Sequence, residues 1–304
     1  MKKHGEVIRE IRKSKGMSLE VAGGKAVPIS TLSDFETGKT NLNVPDFFEV
    51  FSNLWITMSE FSYVQNNYQD RNHTKVWIEG ERLYSEGKKA EFEILLFAEE
   101  TKWATGSLKE QVYFLAFKSH FAGRFKSPEL ELTKQEQRKV YKYLSIVKSW
   151  GLAEISLFTN LANAFDVATL KELSDLLLTR ATVYLSIYEN KKAFIFAVIT
   201  AIYVLLDLNE LKFAIKLYNH IEALIDGLYS SYSLKIDFLF ISGRLSYIQA
   251  GGVGKKAEKG KEQMLSVIDI CKTLKSTSAI KTFQNDYDFL TTEWLETSPL
   301  SAVK

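Results

Sequence analysis

From Lys75 onward the sequence repeats one arrangement: long segments with apolar residues at helical spacing, separated by breaks at Gly106, Ser127-Pro128, Gly151, Asp166, Asn190, Gly227 and the "GGVG" of 251–254. The segments 133–149, 152–163, 169–188, 192–206 and 208–228 are examples. An amphipathic helix must bury its apolar face against a neighbour, and helical pairs recurring every roughly 35 to 45 residues do so by stacking on one another. The spacing therefore predicts a tetratricopeptide-like helical-repeat domain over 75–304. Only four prolines interrupt the chain, and Leu, Lys, Glu, Phe and Tyr fill the long stretches, so the fold class is all-α.

Residues 1–64 break into shorter pieces. Val7, Ile8 and Ile11 recur at helical spacing and "KSKG" supplies a basic, glycine-terminated end, which predicts a helix over 4–15. Ser18 stands as the cap of a second helix, Pro28 closes a turn, Ser30 can cap a third helix, and Gly38 ends it. "VPDFFEVFSNLW" predicts a fourth helix with proline in its first turn, and "TMSEF" a fifth. Five short helices, with a tight turn between the second and third, describe a helix-turn-helix domain. The polar stretch "QNNYQDRNHT" at 65–74 reads as a linker.

Composition narrows the function classes. A net charge of +2 is too small to hold nucleic acid by bulk attraction, so any such contact needs a local basic face. Residues 1–16 provide one: six bases (Lys2, Lys3, Arg9, Arg12, Lys13, Lys15) less two acids (Glu6, Glu10) gives +4. Cys271 is the single cysteine, which excludes an intrachain disulfide and the usual zinc ligand sets and fits an intracellular chain. No apolar stretch follows the N-terminal charges, so no secretory signal is expected. The most apolar run, "AFIFAVITAIYVLL" at 193–206, falls short of the roughly 20 residues a membrane span requires and is expected to be a buried core helix.

Enzyme chemistry finds no support. His4, His73, His120 and His220 are scattered without metal-ligand spacing, and "AGGVGKK" lacks the upstream glycine and following hydroxyl of a phosphate loop. Cys271 lies in the apolar "SVIDICKTL" and reads as a structural thiol. No catalytic residue, metal or cofactor is expected.

Two stretches resemble a known family. "IREIRKSKGMSLE" with "STLSDFETGKTNL" and "ITMSEF" resembles the Xre-type helix-turn-helix, and "SWGLAEISLFTN" at 149–160 resembles a segment of the Rgg/GadR/MutR regulators of Gram-positive bacteria. The resemblance implies a cytoplasmic, homodimeric transcription regulator whose N-terminal domain binds double-stranded operator DNA. It implies that the repeat domain holds a short, imported hydrophobic signalling peptide on its concave face. Ser30, Leu32, Ser33, Phe35, Glu36 and Gly38 match the family's third-helix pattern, whereas Asp34 stands where the family usually has Arg or Lys. Asn160 falls on the family's inward-facing asparagine, Asn163 where several peptide binders have an arginine, and Thr200 and Tyr203 on the same concave side.

In such a domain Arg9 and Arg12, three apart on one helix face, suit a phosphate strand, with Lys15, Lys39 and the helix start at Ser18 as further backbone contacts. Ser30, Thr31, Ser33 and Asp34 would face the groove, where hydroxyls contact bases or phosphates and a carboxylate accepts from cytosine N4. Glu36 is expected to pair with a first-helix arginine inside the domain. The competing reading is a helical-repeat interaction scaffold whose DNA-binding domain has weakened.

Overall fold

A computed structural model describes residues 1–68 and 72–297, and side chains except those of 72–74 and 293–297. Residues 69–71 of the expected linker and the side chain of His73 thus lie outside the described residues. The described residues contain helices and no strand, an all-α fold, divided into two compact units at 1–92 and 93–304.

The first unit opens with α1 (His4–Ser14), α2 (Leu19–Gly23), α3 (Ile29–Glu36), α4 (Val44–Asn53) and α5 (Met58–Gln65). The helix starts follow capping chemistry. Ser18 accepts from Val21 N–H, Asn43 from Asp46 N–H, and Thr57 from Glu60 N–H, while the Glu60 carboxylate accepts from Thr57 N–H. Ser30 does not cap α3. The helix begins two residues earlier, at Ile29 with Pro28 in the cap position, because Pro28 sits at φ −56° and its carbonyl accepts from Leu32 N–H at 3.0 Å. Gly38 ends α3 at φ +74°, a conformation that disfavours side chains with a Cβ.

Val7, Ile8, Ala22, Leu32, Val50 and Leu54 are fully buried in one core. Gly5 brings α1 onto the end of α3: a Cβ there would lie 1.9 Å from the Phe35 carbonyl oxygen. Beyond α5 come α6 (Asn72–Ser85), whose first residues fall within the expected linker, and α7 (Lys89–Trp103).

The second unit stacks α8 (Leu108–Phe125), α9 (Lys134–Ile146), α10 (Leu152–Leu161), α11 (Val167–Arg180), α12 (Tyr188–Asp207), α13 (Leu211–Ile225), α14 (Tyr232–Gln249), α15 (Gly254–Thr273) and α16 (Thr277–Thr297). Helices pack on their sequence neighbours and on the helix after next, as α8 on α9 and α10, or α12 on α13 and α14, which is the contact pattern of a solenoid. The apolar run 193–206 lies in α12 and is largely buried against α10, α11, α13 and α14. Gly243 and Gly260 let α14 and α15 touch backbone to backbone, since a Cβ on either would come within 2.7 Å of the other's carbonyl oxygen.

Three expectations change. Asn190 is no break but a buried residue inside α12. The 169–188 segment is not one helix. It ends at Arg180, whose guanidinium turns back to the carbonyls of Leu144, Ser145 and Val147 at the end of α9, and a short 3₁₀ turn follows. The 152–163 segment stops at Leu161 and passes into another 3₁₀ turn, 162–164.

The "SWGLAEISLFTN" stretch has a structural role at its start. Trp150 is fully buried, donates its indole N–H to Leu144 O and its backbone N–H to Arg180 O, and lies against Phe158. The Glu154 carboxylate then accepts from Gly151 N–H, fixing the start of α10.

Candidate DNA-contact face and peptide groove

The third helix is split by burial. Leu32 and Phe35 enter the core, Ser30 is exposed, and Thr31, Ser33 and Asp34 are half-buried. Arg9, Lys15, Ser18 and Lys39 are exposed. Arg12 is not on that surface, and the expectation that it clamps a phosphate is corrected. It is 8% exposed, donating Nε and one terminal nitrogen to the two Glu36 oxygens at 2.6 and 2.7 Å, and its other terminal nitrogen to Met17 O at 2.7 Å. The fork geometry matches the carboxylate, and the bond to Glu36 raises the Arg12 pKa. Glu36 thus holds a first-helix arginine inside the domain, as its sequence context suggested.

The remaining polar groups are partly engaged with one another. Lys39 Nζ lies 3.2 Å from Asp34 Oδ1, so the unusual carboxylate of α3 sits beside a cation. Lys2 pairs with Glu10, and Lys15 donates to Trp55 O. Lys25, which no motif marked, is exposed in the turn between α2 and α3, where only the turn's position could have singled it out.

In the repeat unit the four residues expected to share one groove fall in two cavities. Asn160, Asn163 and Thr200 line a cavity of about 610 Å³ with His120 and Arg124 of α8 and the half-exposed Phe196 of α12. A chain of bonds runs through it: Arg124 contacts His120 Nε2 at 3.2 Å, His120 Nδ1 contacts Asn160 Oδ1 at 3.1 Å, and Asn160 Nδ2 donates to Ser156 O at 2.9 Å. With arginine as donor, the imidazole carries its proton on Nδ1 and points it at Asn160. Asn160 Nδ2 also reaches Ser156 Oγ at 3.5 Å, and its Oδ1, bonded to His120, keeps a second lone pair. Asn163 is exposed, and Thr200 turns its hydroxyl proton back to Phe196 O while keeping its acceptor pairs.

Tyr203, expected beside Thr200, instead lines a second cavity of about 670 Å³ with Asp207, Asp237, Arg244, Phe283 and Asp286. It lies about one turn further along the same face of α12, where different helices across from it form the neighbouring opening, a division that helix spacing alone does not reveal. His120, Arg124 and this second cavity were missed in the sequence because they meet the asparagines and Tyr203 across separations of dozens of residues.

Cys271 is buried, with its thiol pKa pushed up by burial. Among the described residues no group of His, Cys, Asp and Glu could hold a metal ion, and no helix is long and apolar enough to cross a membrane.

The family model described as the C-terminal domain of the HTH-type transcriptional regulator Rgg matches residues 91–285. The fold is similar to that of the SHP pheromone receptor Rgg2 from Streptococcus dysgalactiae, at TM-score 0.75 and 21% identity, covering 94% of this chain and 98% of that one. It is similar to PrgX in its complex with cCF10, at TM-score 0.70 and 13% identity, covering 93% and 98%. A bacterial peptide pheromone/receptor complex is similar at TM-score 0.71 and 13% identity, covering 96% and 99%.

Proposed function

Because this chain belongs to the Rgg family of HTH-type transcriptional regulators, we propose that it is a cytoplasmic homodimer that binds double-stranded operator DNA through residues 1–64 and answers to a short hydrophobic peptide held by the repeat domain, 75–304. The family is one of regulators and not of enzymes. The observation that carries the peptide reading is the first cavity. Asn160 and Asn163 present amides beside the half-exposed ring of Phe196, in a fold shared with a pheromone receptor and a pheromone complex. Amides can pair with an extended backbone in both directions while the aromatic surface takes apolar side chains.

On the DNA side, Ser30, Thr31, Ser33 and Asp34 read the groove, and Arg9, Lys15, Lys39 and the Ser18 helix start hold phosphates. Two-fold pairing would place two α3 helices in successive major grooves. Exposed Leu265, Ile270 and Phe289 support α15 and α16 as the dimer interface.

The scaffold reading keeps one observation in its favour: the buried Arg12 and the Asp34–Lys39 pair reduce the positive charge available to DNA. A mobility shift of duplex flanking the chain's own gene separates the two. Preference for that duplex over random sequence supports the regulator, and its absence supports the scaffold. Asn160→Ala should then weaken the response to short hydrophobic peptides encoded beside the gene, by about 1–3 kcal/mol in peptide affinity measured by fluorescence polarisation.

A further inference from the structure

The second cavity is built unlike the first. Three carboxylates (Asp207, Asp237, Asp286) meet one guanidinium, Arg244, so its formal charge is −3 + 1 = −2. Arg244 is 3% exposed and bonds Asp207 at 2.7 Å and Asp286 at 3.2 Å, yet its Nε has no hydrogen-bond partner. The Tyr203 hydroxyl, buried in the same lining, has none either. Buried polar groups are ordinarily satisfied, so two orphans in one lining mark a place where a ligand supplies the missing bonds: the Tyr203 oxygen can accept from an ammonium, whereas the Arg244 Nε–H, a donor, calls for an acceptor such as a peptide carbonyl. No ion pair of the described residues engages Asp237, and burial pushes its carboxyl up to about 6.

The two cavities share one helix face. Phe196 and Thr200 line the first, Tyr203 and Asp207 the second, and steps of four, three and four residues keep all four on one side of α12. Eleven residues of helix rise about 16 Å, the span of roughly five residues of extended peptide. We infer that the second cavity is an ammonium pocket: it receives a positively charged alkylammonium group of the peptide ligand, at Asp237 and Asp286 with Tyr203 as hydroxyl partner, so that the peptide lies along α12 with its apolar part toward Phe196. The identity of the ligand as a peptide rests on the preceding reading, whereas the ammonium chemistry rests on this cavity alone.

The test uses the full chain and three small probes: leucinamide, which carries an α-ammonium; Nα-acetyl-lysine N-methylamide, which carries a side-chain ammonium; and N-acetylleucinamide, which is neutral. Ligand-observed NMR titration should show at least one cation binding about tenfold more tightly than the neutral probe, and the one that does names the source of the charge. Asp237→Asn should erase that preference, with Asp286→Asn as a second reading. Equal binding of all three probes, or a preference that survives both aspartate variants, overturns the assignment. A cation preference in a chain that ignores every peptide would instead overturn the peptide reading and leave the pocket standing.

Discussion

In the first unit the buried guanidinium of Arg12 meets three acceptors, two Glu36 oxygens and the Met17 carbonyl, and uses all three nitrogens. In the second unit the buried guanidinium of Arg244 reaches Asp207 and Asp286 and leaves Nε unbonded beside an opening. Both arginines are nearly inaccessible, so burial does not separate them. Completeness does. A fully satisfied buried pair fixes one geometry and is part of the scaffold, whereas an unfinished set bordering a cavity is arranged for something that comes and goes.

The largest effect that could break this contrast is at Arg12. Arg12→Ala should cost about 3–5 kcal/mol of first-unit stability in denaturant titration, because it strands the buried Glu36 carboxylate. The paired replacement Arg12→Met with Glu36→Leu should recover most of that loss and keep the salt slope of DNA binding. A slope lowered by about one in the double variant would restore Arg12 as a phosphate contact.

Gly5→Ala comes next. Its added carbon meets the Phe35 carbonyl, so α1 must shift from α3 at a cost of about 1–3 kcal/mol, readable as a lower first-unit melting point. An unchanged melting point would mean that the two helices do not pack this closely.

The smallest expected effect is on the surface. Asp34→Asn removes an exposed pair and should change stability by less than about 1 kcal/mol. It releases Lys39, so affinity for random duplex should rise and the salt slope steepen by about one phosphate contact. No change in either would take residue 34 away from the DNA surface.

Much of this architecture was legible because its signals are local. The Ser18 cap, the Gly38 stop, the proline near the start of α4 and the apolar run of α12 each act within a turn or two of sequence. The errors have a different origin. Arg9 and Arg12 look equivalent at a spacing of three, yet Arg12 lies on the flank that Glu36 reaches from 24 residues away. Asn190 has a turn-forming side chain but is enclosed by the repeat packing. Thr200 and Tyr203 are sequence neighbours facing different cavities, a division set by α8 and α10 on one side and α14 and α16 on the other. Periodicity identifies a buried face without identifying what lies across from it.

The contrast between finished and unfinished polar sets is tested most directly by the thermal stability of Asp237→Asn against the unsubstituted chain from pH 7.5 down to pH 4. Asp237 faces Tyr203 and Asp207 of α12, Arg244 of its own helix, Cys271 of α15 and Asp286 of α16, and burial raises its carboxyl from 3.8 to about 6. Between those values the folded chain holds a proton that the unfolded chain has released, so the native aspartate gains stability as pH falls through 6 and is a burden above it. The amide should therefore melt higher at pH 7.5, by about 1–2 kcal/mol after allowance for partial exposure, with the advantage gone near pH 4. A lower melting point for Asp237→Asn at pH 7.5 would show that this carboxylate is bound into the scaffold as firmly as Glu36, and would contradict the account.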